Sequence, residues 1–77
     1  MKSAVDKFVI NKIREKRIQE KVSQRGLAAI LGCSDGFIGQ VESDKYETKY
    51  SVYQIFLIAK EFECPVSDFF PSLNTDF

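Results

Sequence analysis

The chain contains no histidine, only two cysteines and no excess of either charge: 11 Lys and Arg stand against 11 Asp and Glu in 77 residues. Each lack excludes something. Cys33 and Cys64 lie 31 positions apart with no histidine to join them, so neither a four-ligand zinc site nor a Cys/His nucleophile is available. A disulfide is formally open, but in a cytoplasmic chain the expectation is two small buried hydrophobes. Without histidine, acid and base work would fall to a carboxylate pair or a lysine, and the acids are scattered among Lys and Arg rather than set in a motif. The sequence therefore reads as a non-enzyme, with no cofactor, no metal and no small-molecule substrate. No stretch approaches the ~18 consecutive apolar residues of a membrane span. The opening MKSAVDKFVINK is charged too early and too often for a signal peptide. A cytoplasmic location with no membrane partner is expected.

What is present is enough apolar material for a core. At 44% hydrophobic and 13% aromatic residues, the chain reads as one small domain, 1–77, with its core over about 6–71 and a short tail, 72–77. A domain of this size hides only about 60% of its unfolded surface. Zero net charge argues at first against a nucleic-acid binder, whose usual footprint is basic. The average conceals a split, however. Residues 1–25 carry eight basic against three acidic residues, and residues 26–77 carry three basic against eight acidic. Such asymmetry points to a charged partner or to a solvated helix face.

Five short helices and no strand pattern predict an all-α fold. Phe8, Val9, Ile13 and Ile18 recur near the helical period, giving an amphipathic helix over 6–20. Ser23 offers an N-cap, and Leu27, Ala28, Ile30 and Leu31 form a short apolar stripe that Gly32 stops, a helix over 24–31. Ser34 is a second N-cap candidate, with Phe37, Ile38 and Val41 as the next apolar face, over 35–42. Residues 42–51 are polar and aromatic without period, a loop long enough to carry function. Ser51 and Gln54 fit a capping box. Val52, Ile55, Phe56, Ile58, Ala59 and Phe62 then make the richest apolar stripe, a fourth helix over 52–62 and the expected spine of the core. Pro65 opens a last short helical turn with Val66, Phe69 and Phe70, and Pro71 ends it.

Two short helices joined by a three- or four-residue turn containing glycine form a helix-turn-helix unit. The stretch SQRGLAAILGCSDGFIGQVES over 23–43 resembles the Cro/phage-repressor (XRE-like) family, whose members often read S-Q-x-x-L-A-x-x-L-G-x-S-x-x-x-I-x-x-x-E. Ser23, Gln24, Leu27, Ala28, Leu31, Gly32, Ser34, Ile38 and Glu42 fall on that pattern without a gap. The likeness extends to Ile13, Arg14 and Arg17 in the first helix and to the closing IAKEFECPVSDFF. It implies a compact five-helix domain of the phage-repressor DNA-binding type, with helices two and three forming the helix-turn-helix.

The resemblance also implies roles. Arg17 and Glu42 match a charged pair that bridges helix one to the end of helix three. Helix three would enter the major groove of double-stranded DNA, with Asp35, Gly36, Phe37 and Gln40 facing the bases. Gln40 would read adenine through its amide, and an acid such as Asp35 is useful there only if it accepts from a cytosine amine. Phe37 either presses on a thymine methyl or packs at the helix surface. Ser23, Gln24, Ser34, Gly39, Lys45 and Lys49 would hold phosphates or let the backbone approach them. A sequence-specific transcriptional regulator, repressor-like and homodimeric, is the expected function. The alternative is a protein-interaction module of the same fold, with Phe69, Phe70, Leu73 and Phe77 as its contact surface.

Overall fold

The computed structural model describes residues 1–77. Helices α1 (Ala4–Gln19), α2 (Gln24–Leu31), α3 (Asp35–Val41) and α4 (Val52–Glu61) follow one another, and a single 3-10 turn, Val66–Phe69, comes last. There are thus four α-helices where five helices were expected. Pro65 fixes the start of the last turn and Pro71 follows shortly after its end. At its two ends the amides of Asp68 and Phe70 reach the carbonyls of Pro65 and Ser67, each three residues back. Five residues between two prolines are too few for a ladder of i→i−4 bonds.

α1 starts two residues before the expected position because Ser3 and Asp6 close a capping box. The Ser3 hydroxyl accepts from the Asp6 amide at 3.0 Å, and the Asp6 carboxylate accepts from the Ser3 amide at 2.8 Å. The Ser51–Gln54 box starts α4 in the same way. Three helices also share one ending. The amides of Val22, Cys33 and Cys64 reach back to the carbonyls of Arg17, Ala28 and Ala59 at 2.9, 3.0 and 3.0 Å. Each turn needs a left-handed residue, and these are Lys21, Gly32 and Glu63, at φ of 59°, 68° and 54°. Only α2 supplies the glycine that this conformation favours.

The core is built from Val9, Ile10 and Ile13 of α1, Leu27 and Ala28 of α2, Ile38 and Val41 of α3, Ile58 and Ala59 of α4, and Tyr50 and Phe69. Phe69 of the last turn is therefore interior, which removes it from the contact surface that the protein-interaction alternative would use. Ile18 is exposed instead of buried, because the inward stripe of α1 runs through Ile10, Ile13 and the stem of Arg17. Phe8 is half-buried, with the Lys12 ammonium 5.6 Å above its ring and Phe77 against its edge at 6.1 Å. α4 gives the core only its C-terminal half. Val52, Tyr53 and Phe56 stand out from the molecule, 85%, 68% and 54% exposed.

Cys33 and Cys64 are free thiols, both half-buried, and burial pushes the Cys64 thiol up. No group of three or more His, Cys, Asp or Glu is placed to hold a metal ion, and no helix is long and apolar enough to cross a membrane.

Candidate nucleic-acid interface

α2 and α3 are joined by Gly32, Cys33 and Ser34. Leu27 and Ala28 on one helix and Ile38 and Val41 on the other are buried together, and small Ala28 allows a close crossing. Ser23 caps α2 by accepting from the Gly26 amide at 2.9 Å. Ser34 occupies the cap position of α3, but its hydroxyl makes no capping bond. Asp35, in the first turn, places its carboxylate at the positive end of the helix.

With Ile38 and Val41 turned inward, the outer side of α3 presents Asp35, Gly36 and Gln40, all exposed. Gly36 has open space where a Cβ would stand. The Thr48 hydroxyl donates to the Gln40 side-chain oxygen at 3.2 Å, which leaves both Gln40 amide hydrogens free. Phe37 departs from this set: it is half-buried, flanks the core and lies 6.3 Å from the Tyr50 ring. Of its two expected roles the geometry favours packing, since residue 37 falls one position before the buried Ile38.

One carboxylate gathers several of the contacts that hold the end of α3. Glu42, directly after the helix, accepts from Arg17 Nε and a terminal Arg17 nitrogen, both at 2.9 Å, and from Gln24 Nε2 at 3.0 Å. Arg14 adds an ion pair at 3.6 Å, and the Glu42 side chain is 4% exposed. The other terminal nitrogen of Arg17 donates to the Val22 carbonyl at 2.9 Å. One residue after α3 is thus tied to α1, to the start of α2 and, through Arg17, to the turn between them. Tyr50 packs beside this centre with its hydroxyl buried and unpaired. Burial first, and then the Glu42 charge, push its phenol well up.

The residues expected at phosphates are dispersed by these contacts. The amide of Gln24 is turned onto Glu42, and its oxygen lies 3.4 Å from where a Cβ on Gly39 would stand. Lys49 pairs with Asp6 of α1 at 3.3 Å. Lys45 is exposed, and its backbone amide is held by the Ser43 hydroxyl at 3.2 Å. The sequence reading missed Arg25, whose Nε lies 3.3 Å from the Asp35 carboxylate, both side chains exposed. Opposite charges at the starts of two helices that a three-residue turn must bring side by side are the signal that could have shown it.

The sequence model of a helix-turn-helix family matches residues 13–69. The chain belongs to this helix-turn-helix family, of the Cro/C1 (XRE-like) type. The matched span of the helix-turn-helix domain runs from the core residue Ile13 to the core residue Phe69. Solved structures agree. The chain is similar to the restriction-modification controller protein C.AhdI from Aeromonas hydrophila, at 26% identity and a TM-score of 0.67, over 84% of this chain and 94% of that one. A hypothetical transcription factor, NHTF from Neisseria, is similar at 17% identity and a TM-score of 0.69, over 88% and 77% of the two chains. FeII HppE in complex with substrate shares the fold at 19% identity and a TM-score of 0.74, the match covering 94% of this chain but only 40% of that one. Comparison with curated proteins gives no match.

Proposed function

We propose that the protein is a sequence-specific DNA-binding transcriptional regulator, repressor-like in action, that reads the major groove with α3 and works as a homodimer. The observation that carries this is the exposed outer side of α3, Asp35, Gly36 and Gln40, on a helix whose pose Glu42 holds from three directions. Gln40, with both amide hydrogens free, suits adenine N7 while its oxygen's second lone pair takes N6. Asp35 is no obstacle, because Arg25 beside it offsets its charge. Ser23, Ser34 and Gly39 line the helix starts and the close approach to the backbone, and Lys45 supplies the freest ammonium toward phosphate. Gln24 and Lys49 serve there while still paired with Glu42 and Asp6, through the amide and ammonium protons those pairs leave over. The likeness to a restriction-modification controller protein supports the regulatory role.

The dimer follows from reach. α3 has seven residues and is therefore about 10 Å long, enough for a few base pairs only, whereas half-sites of two-fold operators lie about 34 Å apart. The outward Val52, Tyr53 and Phe56 of α4 are the face that a second copy would cover.

Selection of operator DNA from random sequence, followed by fluorescence titration between about 50 and 200 mM salt, tests the reading. A selected consensus, with affinity that falls steeply as salt rises, is the expected result. Failure to select any sequence, or affinity indifferent to salt, would overturn it.

A further inference from the structure

Lys2 is buried, 7% exposed, which is rare for a lysine. Its ammonium donates to two backbone carbonyls, Val41 at 2.6 Å and Ser43 at 2.8 Å. Val41 is the last residue of α3. The final carbonyls of a helix have no partner within it and carry its negative end, so a cation there is held by both hydrogen bonds and the helix field. The backbone that carries Lys2 is itself fixed, because the next residue, Ser3, is the cap of α1 and is locked to Asp6 by the capping box. Asp6 in turn holds Lys49 at 3.3 Å. The first turn of α1 therefore grips the 42–51 segment at both ends, by Lys2 where it leaves α3 and by Asp6 just before α4. The residues that make this grip from the α1 side, Lys2, Ser3 and Asp6, lie outside residues 13–69, the span of the family match.

We propose that Lys2 is a positioning residue for DNA recognition: it clamps the end of α3 and the loop that carries Lys45, so that the base-reading side and the loop ammonium meet the duplex in one register. The proposal rests on the DNA-binding reading above. Lys2 itself touches no phosphate, since its protons are directed at carbonyls.

That last point gives the test. In the full chain, Lys2→Met keeps the aliphatic stem and removes the donors. Its affinity for the selected operator is expected to fall about tenfold, while the slope of log K against log salt stays at the unmutated value. Lys45→Ala, by contrast, lowers that slope by about one. Circular dichroism confirms that the variant is folded at the titration temperature, so a purely structural role would lower the melting temperature and leave the affinity of the folded protein unchanged. An unchanged affinity, or a slope reduced by about one, overturns the proposal. A second measurement needs no variant. Under reductive methylation of the unmutated protein, Lys2 is expected to react at least about tenfold more slowly than the exposed Lys60, equally with and without operator DNA. Reaction as fast as Lys60, or protection that appears only with DNA, overturns it. An unmutated chain that binds no DNA would sink the DNA reading and this proposal together, whereas binding that Lys2→Met leaves intact sinks the role of Lys2 alone.

Discussion

Single residues already carry opposed demands. Gly36 and Gly39 lie inside a seven-residue helix, where each glycine costs about 0.8–1 kcal/mol against alanine. Gly36 has a negative φ and open space around the missing Cβ, so nothing in the fold requires it. Gly36→Ala is expected to raise the melting temperature by about 4–8 °C and to weaken operator binding if the helix backbone lies against the duplex; calorimetry and titration of one variant read both. Glu63 is the reverse case, a Cβ held in the left-handed region at φ 54°. Glu63→Gly should stabilise the fold by about 1 kcal/mol, visible as a higher denaturation midpoint. The buried Tyr50 hydroxyl has no partner, so Tyr50→Phe should leave the melting temperature equal or higher, since an unmade buried bond carries only its desolvation cost.

Elements share one apolar core, and a few buried charges fix how they meet. Arg17 and Glu42 are both nearly enclosed, their side chains 9% and 4% exposed. Removal of one partner from such a pair costs about 3–5 kcal/mol, so Glu42→Ala should lower the melting temperature by more than about 10 °C in a domain of this size. The start of α1 is the acid-sensitive element. The Ser3 amide, then the Ser3 hydroxyl and Lys49, hold the Asp6 carboxyl below the usual carboxylate range. Its contribution is present above the ordinary aspartate value near ~3.9 and is lost as pH falls through the depressed folded value. Between about pH 5 and 2 the unmutated protein should therefore lose more stability than Asp6→Asn, which has no such titration. The sequence disclosed the four helices, the Ser51–Gln54 capping box and the Arg17–Glu42 pair, because period, cap chemistry and a dense motif act locally, but the Ser3–Asp6 box that starts α1 went unread. It did not disclose Lys2, the Arg25–Asp35 pair or the exposure of Val52 and Phe56. Those depend on which side of a helix faces a neighbour distant in sequence, and an all-round apolar helix such as α4 does not announce its inner face.

At the scale of the whole molecule, charge balance and shape set what it can do alone. The Cα trace measures 34 × 29 × 21 Å, so one copy is about as long as a single helical turn of DNA and offers one helix-turn-helix. Net charge is zero, which predicts weak non-specific binding and a dependence on paired half-sites for affinity. Sedimentation equilibrium should show a concentration-dependent dimer. Phe56→Glu should shift it to monomer and lower operator affinity at least tenfold, with the melting temperature of the monomer retained, because Phe56 contributes little to the core.

The Glu42 centre bears on how this protein can change. What sets the angle of α3 lies behind the helix, in the buried Ile38 and Val41, the Lys2 ammonium on the Val41 carbonyl and the Glu42 carboxylate reached by Arg14, Arg17 and Gln24, whereas Asp35, Gly36 and Gln40 stand in front of it and are exposed. The lettering and the mount are separate parts. New side chains at those three positions can be tried in combination without re-solving the fold, so, on the proposed DNA reading, one scaffold could be re-addressed to a different operator by a handful of codons.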